Sequence, residues 1–449
     1  MFGSEPGLLI QLKYIKMPTK VKTTRIKRKF QAPRGMRDIL PEEQSYWSKV
    51  KQVINNLAGA YGFDLIETPI LEETDLFIKG TGSSTDIVEK EMYSFRTRGG
   101  DHLTLRPEFT PAIIRAYLES GLSSQPQPVK LYSLGPIFRY ERPQKGRYRQ
   151  AYQANFEVIG QQDPILDTQL IQLFFVIARE LGLKNLIAQM NSIGCSRCRP
   201  NYRKILVSFY RKRKKELCQN CQKRLQQNPL RLLDCKEAKC IRLAEELPQV
   251  IDHLCDDCHN HFKEVLEYLD EIEIPYILNP RLVRGLDYYT KTVFEIWPEE
   301  EDGRQIALAG GGRYDDLIKL LGGKDTPAVG FAMGLDRMVN LLKEKNIKVS
   351  GKCSSLVFLV QLGDLGKKKS LGLFEELRKA GLRTASSFSR NTMEAQLKTA
   401  DRMGARFALI LGQKEALDNT IIIRDMESSS QEIVPLTKVI KELKKRIKK

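Results

Sequence analysis

The chain has 449 residues, 41% of them apolar and 29% charged, with a formal net charge of +18; that length suits about three domains. No uninterrupted apolar run reaches the roughly 18 residues that a membrane span requires, so a membrane protein of the helical kind is excluded. The charge is unevenly placed: residues 1–30 carry net +7 and residues 352–449 net +9, leaving +2 for everything between.

In chain order, residues 1–30 form a basic arm, in which Met17 is an alternative start and whose lysine-rich make-up argues against a transit peptide. Pro33-Arg34-Gly35 opens the folded part. Pro41 to Tyr61 places Trp47, Val50, Ile54, Leu57 and Tyr61 at helical spacing, and Phe63 to Glu67 reads as a short strand. Leu103 to Thr110 is a strand ending at a helix start, where Glu108 and Thr110 either cap the helix or face a ligand.

Val129 to Tyr140 and Gln150 to Ile159 read as a long β-hairpin. Its tip holds Arg139, Arg142, Lys145, Arg147 and Arg149, a positive rim that by itself reads either as a solvated turn or as a polyphosphate site. On the second strand Gln153 and Glu157 point to one face, because side chains alternate with a period of two.

Eight of the nine cysteines lie between Cys195 and Cys258. Their pairs, 195/198, 218/221, 235/240 and 255/258, have Cys-x2-Cys or Cys-x4-Cys spacing, with His259 and His261 nearby. Up to two four-ligand zinc sites and plain reduced structural cysteine are equally compatible with that pattern. The helical, basic texture from 195 to 273 marks an inserted domain.

Strand texture returns at Leu282 to Trp297 and at Gln305 to Ala309. Arg284-Gly285-Leu286-Asp287-Tyr288-Tyr289 stands at the head of the first of these, with an Arg284–Asp287 salt bridge as its plain reading. Gly310-Gly311-Gly312 is expected to break the second. The run is no dinucleotide fingerprint, since Asp315 stands where a third glycine belongs and no βαβ unit follows. Ala328 to Phe331 leads into a helix near Gly334 whose first turn bears Arg337.

The final hundred residues alternate: strand Leu356–Leu362, helix Leu365–Ala380, helix Asn391–Met403, strands Phe407–Leu411 and Thr420–Arg424, helix Leu436–Ile447. That pattern predicts a separate α/β domain.

Together these segments resemble the three motifs of class II aminoacyl-tRNA synthetases: Tyr61 to Pro69, Phe138 to Gly160, and Val329 to Arg337. Arg284 to Tyr289 and Ala309 to Tyr314 are similar to the two further signatures of the histidyl branch, and the likeness covers the chain from about Pro33 onward. It implies an α+β catalytic domain, an antiparallel sheet flanked by helices, in two parts (31–194 and 274–348). A helical cysteine-rich insert (195–273) and a C-terminal α/β anticodon-binding domain (352–449) complete it.

The resemblance also implies an activity, ligation of L-histidine to tRNA(His) through an adenylate formed from ATP with Mg2+. It assigns Arg139 and Arg337 to the α- and γ-phosphate regions of ATP, helped by Glu141 and Arg147. Arg284 and Arg139 become catalytic. Glu108 and Thr110 take the amino group, with Phe109 beside them where a small residue is common. Gln153, Glu157, Tyr288 and Tyr289 surround the amino acid, and Ala151-Tyr152 stand where an aromatic residue and His are usual. A cytoplasmic homodimer built through the first motif is the expected setting. The rival expectation is a non-catalytic, synthetase-like regulatory subunit, a class that tends to lose phosphate-binding arginines.

Overall fold

The computed structural model describes residues 30–299, 307–347, 349, 356–389 and 392–447. Most of the basic arm, and Gln305 and Asn391, lie outside the described residues. The chain forms two compact units, one of residues up to Leu40 with Val53–Leu341, the other of Pro41–Gln52 with Leu342–Lys449.

Among the described residues, eleven strands build the first unit: β1 Asp64–Leu65, β2 Leu71–Glu73, β3 Tyr93–Arg96, β4 His102–Leu105, β5 Val129–Phe138, β6 Gln150–Ile159, β7 Leu186–Ser192, β8 Tyr276–Leu278, β9 Thr290–Pro298, β10 Ala309–Arg313 and β11 Ala328–Gly334. Eight of them form one sheet in the order β1-β5-β6-β11-β10-β9-β7-β8. Its centre is antiparallel, as expected, while the two edge pairs, β1 with β5 and β7 with β8, are parallel. β2, β4 and β3 make a small separate sheet.

The alternation of β6 organises this unit. Phe156 stacks on its cross-strand partners, Phe331 of β11 at 5.0 Å and Tyr132 of β5 at 5.7 Å. Phe174, from the helix Ile165–Glu180, meets Phe331 edge-on at 6.2 Å. Each fully buried ring contributes about 1.5–3 kcal/mol, enough to carry a polar opposite face. That face bears Gln153, Asn155 and Glu157, paired across β11 with Gly334, Ala332 and Gly330, so its neighbours scarcely project. Sequence order thus becomes a two-sided sheet, with core below and site above.

Two expectations need correction. Gly310-Gly311-Gly312 does not break the strand; it is most of β10, paired on both sides. Only at Gly312, with φ of +151° and a register shift before Arg313, does the backbone need glycine's freedom. Residues 282–289 are not strand either, because β9 starts at Thr290; they form a loop that lines a cavity with all but Asp287.

The insert is helical, as predicted, with helices Arg199–Lys212, Gln219–Gln227, Ala238–Glu245 and Asp256–Glu271.

The second unit has a five-stranded sheet of β12 Val357–Gln361, β13 Thr384–Ser386, β14 Phe407–Leu411, β15 Thr420–Asp425 and β16 Gln431–Pro435, in the order β13-β12-β14-β15-β16. Leu359 and Leu409 enter one core cluster, Phe358 and Ala408 another. Both faces of the central strands are therefore covered, which explains their unbroken apolar sequence. The edge strands Thr384–Ser386 and Gln431–Pro435 and the short helix Gln413–Leu417 were not anticipated, and the last helix begins at Val439 rather than Leu436.

Candidate active site

Above the polar face of the sheet lies a cavity of about 890 Å³. Among the arginines that line it, Arg139, Arg284 and Arg337 come from three different elements. Arg139, at the end of β5, is aimed by a hydrogen bond from its Nε to the Pro107 carbonyl, 2.8 Å away. Arg337, in the first turn of the helix Leu335–Glu344, donates from Nε to the Gly146 carbonyl (3.3 Å) and from Nη1 to the Ala307 carbonyl (2.5 Å). Arg284, on the loop before β9, pairs through Nη1 with Glu295 and lies 5.7 Å from the Tyr289 ring centre.

Electrostatics separate Arg337 from Arg284. Burial, reinforced by the nearby charge of Arg147, lowers the Arg337 pKa to about 10. A guanidinium held among cations in a partly dry site favours the arrival of an anion. At Arg284 burial acts against the charge, but the Glu295 carboxylate outweighs it and raises the pKa above the ordinary value. Its Nε remains buried without a hydrogen-bond partner, and so does Oε1 of Gln153. Both residues line the cavity, where a ligand would supply the missing partners.

Gly310 explains the position of Arg284. A Cβ added there would stand 2.6–2.8 Å from the guanidinium atoms, so the glycine leaves the space that Arg284 fills.

Two carboxylates lie at the deep end. Glu108 accepts from Thr81 Oγ1 and Tyr288 OH, both at 2.7 Å. Glu157 accepts from Thr110 Oγ1 at 2.8 Å and from the Tyr314 hydroxyl. Burial raises both pKa values, that of Glu157 to about 8. Neither Glu108 nor Thr110 caps the following helix, which has no side-chain cap; their side chains are committed to the site.

The structure brings together most of the anticipated residues. Arg139, Glu141, Arg147, Gln153, Arg284, Tyr288, Tyr289, Glu108, Thr110 and Arg337 line the cavity. Glu157 sits behind its wall, one hydrogen bond away through Thr110. Phe109 does not face the cavity: it is 1% exposed in the core, its ring 4.1 Å from the Arg106 guanidinium carbon. Of the basic hairpin tip, Arg142, Lys145 and Arg149 are not lining residues; Arg149 lies over the Tyr140 ring at 3.6 Å. The supposed Arg284–Asp287 pair does not form, because Asp287 accepts instead from Asn228 Nδ2 (2.7 Å) and Ser84 Oγ (3.2 Å). His261 is no candidate ligand; its Nε2 contacts Asp167 and Arg313 at 3.4 and 3.2 Å. Tyr152, in the family-variant pair, donates its backbone N–H to Asp336 Oδ2 (2.8 Å) and so ties β6 to the helix that carries Arg337.

Two site residues escaped sequence reasoning. Glu295 is the only charged residue in the apolar run Val293 to Trp297, a signal that was there to find. Tyr314 closes the Ala309–Tyr314 signature, but only the fold shows it beneath Glu157.

Chemically, the arrangement offers arginines to a polyphosphate and buried carboxylates to a polar or cationic small group.

Comparison with known proteins bears on this geometry. A family profile described as "Histidyl-tRNA synthetase" matches residues 35–338, and one described as "Anticodon binding domain" matches residues 357–446. A histidine–tRNA ligase of Dehalococcoides mccartyi is 46% identical over 418 residues, spanning 93% of this chain and all of that protein. One from Pelotomaculum thermopropionicum is 43% identical over 415 residues, 92% of this chain and 97% of its own length. The apo histidyl-tRNA synthetase of S. aureus superposes with a TM-score of 0.78 at 34% identity, covering 92% of this chain and 100% of that one. With a site of this form and likeness across nearly its whole length, the chain belongs to the histidyl-tRNA synthetase family.

Proposed function

We propose that this chain activates L-histidine with ATP in the arginine-lined cavity and transfers the histidyl group to tRNA(His), releasing AMP and pyrophosphate. The observation that carries the reading is the convergence of Arg139, Arg284 and Arg337 on one cavity that Glu108 and Gln153 also line.

Arg139 and Arg337 embrace the triphosphate, Glu141 keeps Arg147 oriented at 3.6 Å, and Glu108 takes the amino group of histidine. Gln153, Tyr288 and Tyr289 surround the side chain, with Glu157 acting on it from behind through Thr110. An oxygen of the histidine carboxylate attacks the α-phosphorus in line, the bond to the bridging β-phosphate oxygen breaks, and pyrophosphate leaves. Arg284 stabilises the charge that builds on the α-phosphoryl oxygens, since guanidinium holds two oxygens at once and does not deprotonate. The tRNA 3′-terminal ribose hydroxyl then attacks the acyl carbon and AMP departs.

Magnesium enters with the nucleotide. Among the described residues the groups with metal-holding geometry are sets of cysteines, and the cavity carboxylates Glu141 and Glu295 already face arginines. The ion would therefore rest on the nucleotide rather than on protein carboxylates, and would offset phosphate charge there.

Residues 352–449 read the tRNA, their basic excess facing its backbone. We assign the chain to a cytoplasmic homodimer: the eight described cysteines form no disulfide, no described helix is long and apolar enough to cross a membrane, and Leu65, Ile70 and Leu71 are exposed apolar residues in and beside the first motif.

The test is ATP–pyrophosphate exchange across all amino acids. Exchange with histidine alone, abolished in a folded Arg284→Ala variant, is expected; equal exchange with proline refutes the assignment.

A further inference from the structure

The eight cysteines of the insert gather into two tetrads. Cys195, Cys198, Cys255 and Cys258 form one, Cys218, Cys221, Cys235 and Cys240 the other, and within each the sulfurs all lie within 4.8 Å of one another. Sulfur separations are 3.7 Å for 195–198, 3.8 Å for 195–255, 3.7 Å for 198–258 and 3.8 Å for 218–235. A zinc tetrathiolate with bonds of about 2.3 Å has tetrahedral edges of about 3.8 Å, whereas bonded sulfurs stand about 2.05 Å apart. The spacing is that of the metal site.

Thiols are weak donors and give little reason to assemble four at a time. Backbone N–H groups also point at these sulfurs: Cys195 N at Cys198 Sγ (3.1 Å), Cys221 N at Cys218 Sγ (3.4 Å) and Cys218 N at Cys240 Sγ (3.4 Å). Such donors disperse thiolate charge around a bound cation.

The tetrads occupy different places. The first joins the two ends of the insert, since Cys195 follows β7 and Cys255 precedes the helix Asp256–Glu271. The second walls the cavity with Cys218 and Cys235. Between its cysteine pairs run Asn228, which holds Asp287, and Arg231, which pairs with Asp86 at 2.5 Å. Asp287 lies in the loop that presents Arg284 and Tyr288.

We propose that both tetrads are structural zinc sites, and that the Cys218–Cys240 site positions the Arg284–Tyr289 loop by fixing the Asn228–Asp287 contact. Each ion displaces four thiol protons to solvent with no change in oxidation state. Four sulfurs in a tetrahedral set suit zinc and iron alike, and zinc is favoured because the proposed reaction transfers no electron. The positioning half rests on the cavity being the adenylation site; the zinc half does not.

The test begins with the purified full-length protein. Metal analysis is expected to give about two zinc ions per chain, with the eight thiols resisting alkylation until a chelator is added. Iron, or no metal with all eight thiols reactive in the native protein, overturns the zinc sites whatever the enzyme does. Cys235→Ser and Cys255→Ser are each expected to lose about one zinc. Of the two, only Cys235→Ser should lower the kcat of exchange, by roughly 10-fold or more, with the KM for ATP nearly unchanged. Asn228→Ala should reproduce that split while keeping both ions, and it decides the point if Cys235→Ser does not fold. A kcat at the wild-type level in Asn228→Ala overturns the positioning role. Absence of histidine-dependent exchange in wild type would strike the functional reading and leave the metal count standing.

Discussion

The Tyr314 hydroxyl donates to the Glu157 carboxylate from beneath the wall of the cavity, opposite the bond that Glu157 receives from Thr110. Removing it in Tyr314→Phe leaves the ring in place and one carboxylate oxygen short of a donor. A buried bond of this kind amounts to about 1.5–3 kcal/mol, so kcat/KM for histidine should fall roughly 10- to 100-fold. Steady-state exchange kinetics at varied histidine and varied ATP check this; an equal loss on the ATP side would argue for general disruption.

Glu157 also makes a pH prediction. Its folded pKa of about 8 lies above the ordinary 4.5 because of burial, so between those values the folded protein binds more protons than the unfolded chain. The group's contribution to stability is complete below about pH 4.5 and is lost as pH rises to about 8. Glu108 shifts in the same direction. Ligand-free Glu157→Gln should therefore unfold with a flatter pH dependence across this window than wild type, and be the more stable of the two near pH 8. Parallel denaturation profiles for the two proteins would contradict a raised Glu157 pKa.

Gly310→Ala tests how closely Arg284 is held. The added methyl would meet the guanidinium rather than backbone, so the fold should survive while the arginine shifts. A displacement on the order of 1 Å near reacting atoms costs about 100-fold. The expected result is a fall of that size in kcat with little change in unfolding temperature. A normal kcat would mean that Arg284 has slack the structure does not show.

The terminal helix Val439–Ile447 exposes Lys441, Lys444 and Lys445. Reversing these charges to Glu should raise the KM for tRNA about 10-fold or more and flatten its dependence on salt, because each lost phosphate contact removes about 0.7–0.9 from the logarithmic slope. Pyrophosphate exchange should not change. Loss of both steps together would contradict a division of labour between activation and tRNA reading.

The candidate site residues were legible in the sequence because they sit in short runs that carry the family resemblance, and local geometry supports part of that reading. The 138–160 hairpin follows from alternation, and Gln153 and Glu157 share a face by the same rule. What stayed hidden depends on contacts between distant segments. Tyr314 and Glu157 are 157 residues apart, and Asn228 and Asp287, 59 apart, meet only because the insert folds back. The triple glycine misled because glycine is usually a breaker; in β10 it makes room for Arg284, a reason that lies outside the strand. Likewise the arginines of the hairpin tip look alike in composition; the resemblance singled out Arg139 and Arg147, and the fold puts those two on the cavity and Arg149 off it.

The alternation of β6 has one more consequence. A strand that serves the ligand with every second residue and the aromatic row with the others tolerates a change of letter but not a change of frame. Substitution at 153, 155 or 157 leaves the Tyr132–Phe156–Phe331 stack untouched, so amino-acid preference is open to retuning one position at a time. A single inserted residue would instead send Phe156 toward the ligand and a carboxylate into the oil. The length of this strand is therefore frozen, while its chemistry is free to drift.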